Sequence, residues 1–365
     1  MKNLAELQAE CAALGITVET NGRASKQAYL DALRDYHWRK DHPDEPLPLQ
    51  IQPMLLASWE DLDEDEARQI EEDCHAWVAQ EKFDGVRVLI HVEDGRVRIT
   101  GRTISEVSYR LTEHQENLPH LTTGLSTLTG TILDGELICP VSCVDTGSTV
   151  TATSLQATVA VLATTPANAR QIQEHHDAQL RLKVFDILSF CGRDVTQRPL
   201  IERQDFLEKA LRQSDNPFIE PVPSFVVNKP DIHRRIISRG REGTVWKKAN
   251  SIYLPGRRVP FWVKRKRGIE VEAFVTAGKA GNNGHAQVIG AVEFSIRNPD
   301  GTRVAVAWVS GWSDEERQAM TVRDTDGVVR LNPDFIGRRA VLVGQDESAK
   351  SRRIRHARLK QWVAS

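Results

Sequence analysis

Runs with strand periodicity alternate with helical stretches between Pro53 and about Gly268. The segment VRVLIHVEDGRVRIT contains two alternating apolar runs joined at Asp94-Gly95, a dipeptide that favours a tight hairpin turn. Further strands are predicted for GTILDGELI, LRLKVFDIL, REGTVWKK and VPFWVKRKRG, and an amphipathic helix for RPLIERQDFLEKALRQ. The pattern therefore predicts an α+β domain over residues 54–268.

Beyond Gly268 the pattern is almost entirely that of short strands. Apolar and polar residues alternate in four segments, which are IEVEAFVTAGKA, HAQVIGAVEFSI, TRVAVAWVSG and RRAVLVGQ. Turn-rich segments such as RNPDGT separate them. Several short strands in succession are typical of a small β-barrel. We therefore expect a β-barrel domain over residues 269–365.

The first 40 residues have helical periodicity. Apolar residues recur at helical spacing in NLAELQAECAAL and again in KQAYLDALRDYHW. A segment that contains Gly and Asn separates the two. This order resembles the small SAP-type DNA-binding modules, and a plain helical hairpin fits it equally well. Residues 41–53 contain four prolines, which indicates a linker to the α+β domain.

Charge is unevenly distributed although the net charge of the 365 residues is only −2. Residues 59–73 are strongly acidic, whereas residues 263–268 and 350–360 are basic, so the chain has local positive surfaces that could face an anionic partner. The start of the chain lacks an apolar signal core, and no run approaches 18 apolar residues. We expect a cytoplasmic protein without a membrane partner.

The five cysteines have no regular spacing. Only the segment CPVSC forms a close pair, at Cys139 and Cys143, and no pair of histidines follows it. This arrangement argues against a zinc site and favours reduced thiols.

Lys82 is the first candidate for chemistry. It precedes Asp84-Gly85 and Arg87 in the segment EKFDGVR. A nucleophilic lysine needs surroundings that favour the neutral amine, and a nearby arginine supplies a permanent cation that can also bind phosphate. Gly85 lets a phosphate approach the backbone closely, because it has no side chain.

The short pattern around Lys82 is not specific by itself, but an ordered series of polar and aromatic residues follows it along the chain. The series consists of five segments in this order: TGR with Arg102, LDGEL with Asp134 and Glu136, KVFDIL with Phe185 and Asp186, EGTVWKK with Glu242 and Lys247, and FWVKRKRG with Lys264 and Lys266. Read singly, Lys247 and Lys248 are expected at a solvated strand edge, and Asp186 is expected to cap a neighbouring turn.

The ordered series resembles the signature of the ATP-dependent DNA ligases, members of the covalent nucleotidyltransferase superfamily. K-x-D-G-x-R matches residues 82–87, D-G-E matches residues 134–136 and F-D-x-L matches residues 185–188. E-G-x-V-x-K matches residues 242–247, W-x-K-x-K matches residues 262–266, and the lead-in QPMLLAS also fits. The resemblance runs from about Pro53 to Trp362. It implies an adenylation domain followed by an OB-fold.

The resemblance implies a lysyl-adenylate on Lys82, ATP and Mg²⁺ as cofactors, and nicked duplex DNA as the partner of a monomeric enzyme in replication, repair or recombination. Mg²⁺ is assigned to Glu242 and Glu136, although Glu136 could instead bind the ribose hydroxyls. The other residues assigned to ATP are Gln80, Glu81, Arg87, Arg102, Phe185, Arg257, Lys264 and Lys266. The residues assigned to DNA are Lys26, Arg102, Arg267, Arg352 and Arg353.

Two departures from the family pattern stand out. Gln80 occupies the position two residues before the lysine where many ligases carry a glutamate, and Ala357 replaces the proline of an R-H-P-x-F segment. The alternatives are an RNA ligase or an mRNA-capping guanylyltransferase of the same superfamily, or a nick-binding protein without turnover. NAD-dependent ligases are disfavoured, because the scattered cysteines do not supply their zinc module.

Overall fold

The computed structural model describes residues 2–18, 25–140, 154–175, 179–282, 285–298, 300–344, 352–354 and 357–363. Two compact units make up the chain, Met1–Arg265 and Lys266–Ser365. Their mixture of sheets and helices confirms the predicted α+β class. Cys143 of the close cysteine pair and His356 of the R-H-A segment lie outside the described residues.

The helices of the first unit cover its sheets and form a pair at its amino end. They are α1 Leu4–Ala13, α2 Lys26–Asp41, α3 Glu64–Glu72, α4 Ser154–Leu162, α5 Pro166–His175, α6 Leu200–Gln213 and α7 Lys229–Ser238. The two N-terminal helices and α6 confirm the predictions from periodicity. Helices α4, α5 and α7 are not among the elements predicted from the pattern.

The first unit contains twelve strands among its described residues, and they form two sheets. The strands are β1 Leu55–Ser58, β2 Trp77–Lys82, β3 Val86–Glu93, β4 Arg96–Ile104, β5 Leu111–Glu113, β6 Thr131–Ile138, β7 Arg181–Phe190, β8 Arg193–Asp194, β9 Ile219–Pro221, β10 Ser224–Phe225, β11 Gly243–Lys248 and β12 Arg258–Lys266.

The smaller sheet has the order β1-β12-β11-β2-β10. Strand β11 runs antiparallel to β2 and sets Gly243 opposite Lys82, whereas β1 runs parallel to β12 and sets Ser58 opposite Lys264. This sheet therefore joins the start, the middle and the end of the first unit.

The larger sheet has the order β5-β4-β3-β6-β7-β8, with β9 added alongside β7. The β3–β4 hairpin turns at Asp94-Gly95 as predicted, and Gly95 has φ +73°, a conformation that glycine adopts without steric cost. Register places Arg87 opposite Glu136 on the neighbouring strand.

An apolar cluster fills the space between the two sheets. Its buried members are Met54, Leu89, Leu188, Leu200, Tyr253, Val259 and Trp262. A second core, beneath the other face of the larger sheet, is built from Val, Ile and Leu side chains of β3, β6 and β7 and from helices α4 to α6. The larger sheet is thus covered on both faces, which makes it a rigid support for side chains at its end.

The helices α1 and α2 pack on the loop between β4 and β5 through Tyr109. Tyr109 is buried among Leu7, Leu30 and Leu33, and its hydroxyl donates to Glu10 at 2.5 Å. The Nε of Arg34 donates to the Tyr109 carbonyl at 2.9 Å. The buried side chain of Tyr109 therefore connects the two N-terminal helices to the rest of the first unit.

The second unit is a five-stranded antiparallel sheet with a small hairpin and one short helix. Its elements are β13 Ile269–Ala280, β14 Ile289–Arg297, β15 Arg303–Ser310, α8 Asp314–Ala319, β16 Thr321–Arg323, β17 Val329–Leu331, β18 Arg339–Gly344 and β19 Arg358–Trp362. The sheet order is β15-β14-β13-β18-β19, and the described residues do not form a closed barrel. Phe294 and Trp312 lie in its core, and partly buried Trp362 packs against them. No helix in the described part of either unit is both long and apolar enough to cross a membrane.

Candidate active site

A pocket opens in the first unit between the ends of the two sheets. Its empty volume, counted out to the mouth, is about 440 Å³. The smaller sheet contributes Leu56, Gln80, Glu81, Lys82, Val245, Lys247 and Trp262, the larger sheet contributes Arg87, Glu136 and Phe185, and Phe83 lies on the turn between them. A concave site with an apolar floor and a few converging charges is typical of a small-molecule site.

Lys82 and Glu242 form an ion pair at the edge of this pocket. The Lys82 Nζ donates to Glu242 Oε2 at 2.6 Å, and both side chains are mostly buried, at 19% and 16% exposure. The pair arises because β11 begins opposite the last residue of β2. The ion pair fixes the position of the Lys82 Nζ at the edge of the pocket.

Arg87 is held by a buried network that includes its own ion pair with Asp134. Its Nε and Nη2 donate to the two carboxylate oxygens of Asp134 at 2.9 and 2.6 Å, and its Nη1 donates to the Met54 carbonyl at 2.6 Å. The Tyr253 hydroxyl donates to Asp134 at 2.7 Å and accepts the Met54 N–H at 3.0 Å. Most of the donors of Arg87 are engaged within the protein, so its guanidinium is fixed above the ring of Phe185, 5.1 Å away.

Lys247 lies at the floor of the pocket, and the expectation of a solvated strand edge is wrong for it. Its side chain is buried, with Nζ 4.4 Å from the ring centroid of Phe185 and 3.8 Å from that of Trp262. Burial lowers the pKa of Lys247 to about 7. The lysine is placed inside because β11 is covered on both faces, and only Lys248 at its end is exposed.

Glu136 carries the most perturbed carboxylate of the pocket. Burial raises its pKa to about 7, and the positive charges of Lys82 and Arg87 offset only part of that effect. The described residues contain no cluster of three or more His, Cys, Asp and Glu side chains suited to a metal. Glu136 and Glu242 nevertheless fit Mg²⁺, because that ion is commonly held by one or two carboxylates together with substrate phosphates.

The structure brings most of the predicted site residues together. Gln80, Glu81, Lys82, Arg87, Glu136 and Phe185 line the pocket, and Glu242 contacts Lys82. Gln80 is buried, and its amide nitrogen donates to Ser224 Oγ at 2.9 Å. Glu81 lies 3.7 Å from Arg241, a residue that the sequence pattern did not single out.

Other predicted residues lie outside the lining of the pocket. Arg102 and Arg257 are exposed, on β4 and in the turn before β12. Lys264 alternates to the same side of β12 as Trp262, and Lys26 is the first residue of α2. Lys266, Arg267, Arg352 and Arg353 belong to the second unit.

Asp186 is structural, but the expectation that it caps a turn is incomplete. It receives two hydrogen bonds from Arg203, both at 2.8 Å, and one from the N–H of Ile187. Both members of the Asp186–Arg203 pair are fully buried. The pair fastens α6 to β7, the strand that carries Phe185.

Comparison with known proteins gives one family match over the first unit. The family described as ATP dependent DNA ligase domain matches residues 53–266. The DNA ligase of Haloarcula marismortui is 29% identical over 255 residues, which are 69% of this chain and 43% of the relative. DNA ligase 2 of Methanosarcina acetivorans is 26% identical over 318 residues, 82% of this chain and 50% of the relative. The chain thus spans about half the length of the curated relatives it matches.

Solved structures show the same fold. A Lig E DNA ligase, described as binding DNA with a minimal scaffold, is 17% identical and covers 86% of this chain and 99% of its own, with a TM-score of 0.53. The structure named Pmar-Lig_Pre is 15% identical and covers 93% of this chain and 72% of its own, with a TM-score of 0.61.

Proposed function

The chain belongs to the family of ATP-dependent DNA ligase domains, and from this premise we propose that it is an ATP-dependent DNA ligase that seals nicks in duplex DNA. A nick of this kind has a 5′-phosphate beside a 3′-hydroxyl. The observation that carries the proposal is the position of Lys82, whose Nζ is held by Glu242 at 2.6 Å at the edge of an open pocket lined by Arg87, Glu136 and Phe185.

Lys82 acts first, as the nucleophile. As the neutral amine, its Nζ attacks the α-phosphorus of ATP. An N–P bond forms, the nitrogen gives up a proton to solvent, and the bond to the bridging oxygen breaks to release pyrophosphate. The AMP is then attached to Lys82 as a phosphoramidate. Because Arg87 is fixed by Asp134 and Met54, its role is to hold the pocket's shape and positive potential around this group.

The adenine is proposed to lie against Phe185. The ring of Phe185 belongs to a strand of the rigid larger sheet, and Lys247 and Trp262 close the floor behind it. Buried Gln80 offers amide groups at the side of the same pocket. Mg²⁺, held by Glu136 and Glu242, would offset negative charge on the phosphates when bound. The assignment of Glu136 to the ribose hydroxyls stays an alternative.

Two further steps complete the proposed reaction. The AMP passes from Lys82 to the 5′-phosphate of the nick, and the 3′-hydroxyl then attacks that phosphate and releases AMP. Arg102, Lys264 and Lys266 are proposed to contact the reacting phosphates, since each is a cation on a strand that leads toward or away from the pocket. Nicked DNA is the proposed partner, with Lys26, Arg267, Arg352 and Arg353 as contacts to its backbone. The monomeric state and the cytoplasmic location stay predictions.

The second unit is proposed to be the OB-fold of this enzyme. Its five antiparallel strands support the proposal, and so does the hydrogen bond from the Ile354 N–H to the Val306 carbonyl at 2.8 Å. That bond links the segment before β19 to β15, at the opposite edge of the sheet. The helices α1 and α2 are proposed to be a DNA-binding module of SAP type, and a plain helical hairpin remains the alternative.

The experiment that tests the proposal is covalent labelling by nucleotide. The purified chain, incubated with α-labelled ATP and magnesium, is expected to carry AMP on Lys82 and then to seal a nicked duplex. Lys82→Arg keeps the positive charge beside Glu242 but removes the amine nucleophile, so it is expected to abolish labelling. Lys248→Ala, at the exposed end of β11, is the matched control and is expected to label normally.

Three outcomes would contradict this function. Nick sealing by Lys82→Arg would refute the covalent mechanism. Labelling by GTP alone, or joining of RNA ends alone, would identify an RNA ligase or a capping guanylyltransferase. Tight binding to a nick without any adenylate on Lys82 would identify a nick-binding protein without turnover.

A further inference from the structure

Four arginines form an exposed basic surface beside the Lys82–Glu242 pair, and no part of the proposed chemistry uses them. They are Arg234, Arg235, Arg239 and Arg241, at the end of α7 and in the turn that leads to Glu242. We refer to these four residues as the arginine turn. All four are exposed, although the chain as a whole carries a net charge of −2.

The backbone holds the arginine turn in a defined shape. Helix α7 buries Ile232 and Ile236 and ends where the Arg239 N–H donates to the Arg235 carbonyl at 3.3 Å. Gly240 follows with φ +74°, and the Arg241 N–H returns to the Ile236 carbonyl at 3.2 Å. This glycine-centred helix end reverses the chain and delivers it directly into Glu242 and β11.

The position of the turn relative to the pocket follows from two contacts. Arg241 lies 3.7 Å from Glu81, a residue that lines the pocket, while the next residue, Glu242, holds Lys82 at 2.6 Å. On the other side of the helix, His233 Nδ1 is 2.8 Å from Thr244 Oγ1, so α7 lies against the back of the smaller sheet. Arg241 therefore lies at the end of that sheet, beside the mouth of the pocket, and the other three arginines of the arginine turn precede it along the chain.

Favourable interaction with the helix dipole does not account for so many cations. One cation in the last turn of a helix is stabilising, but like charges four residues apart repel each other. Arg235 and Arg239 have this spacing, and within the described residues neither forms an ion pair with a carboxylate, whereas Arg234 pairs with Asp231. Arg235 and Arg239 therefore repel each other in the free protein, and this repulsion is offset when negative charges approach both of them.

We propose that the arginine turn binds the sugar–phosphate backbone of duplex DNA and holds the nick at the mouth of the pocket; the inference rests on the proposed function. Arg235 and Arg239 lie about 6 Å apart along the helix axis, at a rise of about 1.5 Å per residue. Along the axis of duplex DNA each strand carries a phosphate about every 3.4 Å, so two arginine side chains set this far apart can reach separate phosphates. Arginine suits this ligand because its planar group donates to two phosphate oxygens at once.

The test compares Arg235→Gln/Arg239→Gln with wild type for binding to nicked duplex DNA between about 50 and 200 mM salt. Each phosphate contact contributes about 0.9 to the slope of log K against log salt. The double variant is therefore expected to lower that slope by about 1.8 and to slow nick sealing at the higher salt. Labelling by ATP without DNA is expected to proceed as in wild type, because neither side chain lines the pocket.

Two matched variants control for charge and for fold. Arg198→Gln/Arg212→Gln removes the same charge from two exposed arginines, one just before α6 and one on it, which pair with Glu202 and Glu208. This variant is expected to keep the wild-type slope. Arg235→Lys/Arg239→Lys keeps the charge and is expected to keep the slope.

Failure of the inference is distinguishable from failure of the proposed function. An unchanged salt slope in the glutamine variant, while wild type labels and seals nicks, overturns the arginine turn as a DNA contact. A loss of ATP labelling without DNA also overturns it, because the arginines would then act on the nucleotide. If wild type itself neither labels nor seals, the proposed ligase activity has failed.

Discussion

Replacement of Glu136 by glutamine is expected to stabilise the folded protein above pH 7 and to abolish its labelling by ATP. Burial between the sheets raises the pKa of Glu136 to about 7, against an ordinary value of 4.5. At about 1.36 kcal/mol per pKa unit, this difference corresponds to about 3 kcal/mol of folding free energy lost when the buried carboxyl is ionised. The glutamine does not ionise, so the variant avoids that cost.

The sign of the pH dependence follows from proton binding. Between about pH 4.5 and pH 7 the folded state keeps the Glu136 proton that the unfolded state has released, so the contribution of Glu136 to the free energy of unfolding falls as pH rises through this window. Burial lowers the pKa values of His91 and His233 from 6.5 to about 4, so these two groups give the opposite slope between about pH 4 and pH 6.5. Both histidines are present in wild type and variant, so the difference between the two proteins isolates Glu136.

The assay is urea denaturation of wild type and Glu136→Gln at pH 5 and pH 8. The variant is expected to be more stable by up to about 3 kcal/mol at pH 8, and by less than about 1 kcal/mol at pH 5, where the carboxyl is already protonated. Glu116→Gln, at an exposed position of the same unit, is the control and is expected to show no such difference. An equal difference at both pH values, or a variant that is less stable at pH 8, would refute the reasoning, because Lys82 and Arg87 would then outweigh burial.

Two further predictions concern the buried networks that support the pocket. Tyr253→Phe removes the hydroxyl that donates to Asp134 and accepts the Met54 N–H, and is expected to lower the free energy of unfolding by about 1–3 kcal/mol in urea denaturation. Arg203→Ala leaves Asp186 charged and buried without its partner, and is expected to cost about 3–5 kcal/mol in the same assay.

Each of these two substitutions has a matched control in the chain. Tyr36→Phe changes a partly exposed tyrosine, and Lys209→Ala changes an exposed side chain on the same helix as Arg203; both are expected to shift stability by less than about 0.5 kcal/mol. A cost for Tyr253→Phe no larger than that of Tyr36→Phe would show that the hydroxyl network is dispensable. A cost for Arg203→Ala below about 1 kcal/mol would show that Asp186 takes up a proton or water instead.

Local sequence patterns predicted where strands and helices form, but they did not predict whether a given residue is buried or which residues it contacts. The β3–β4 hairpin forms at Asp94-Gly95 because the turn residues and the flanking alternation agree. The convergence of Lys82 and Glu242, 160 residues apart, required the ordered series of motifs and not any local pattern. Lys247 was misplaced because a strand covered on both faces gives no polarity signal, so a lysine within it looks like a surface residue.

The sheet that carries Lys82 has a consequence for synthesis on the ribosome. A nascent chain that has emerged only as far as α7 possesses the lysine but lacks β11 and β12, which supply its carboxylate partner and the floor of its pocket. Such an intermediate has only β10 to pair with β2. The surroundings of the Lys82 amine are therefore complete only after about residue 264 has left the exit tunnel.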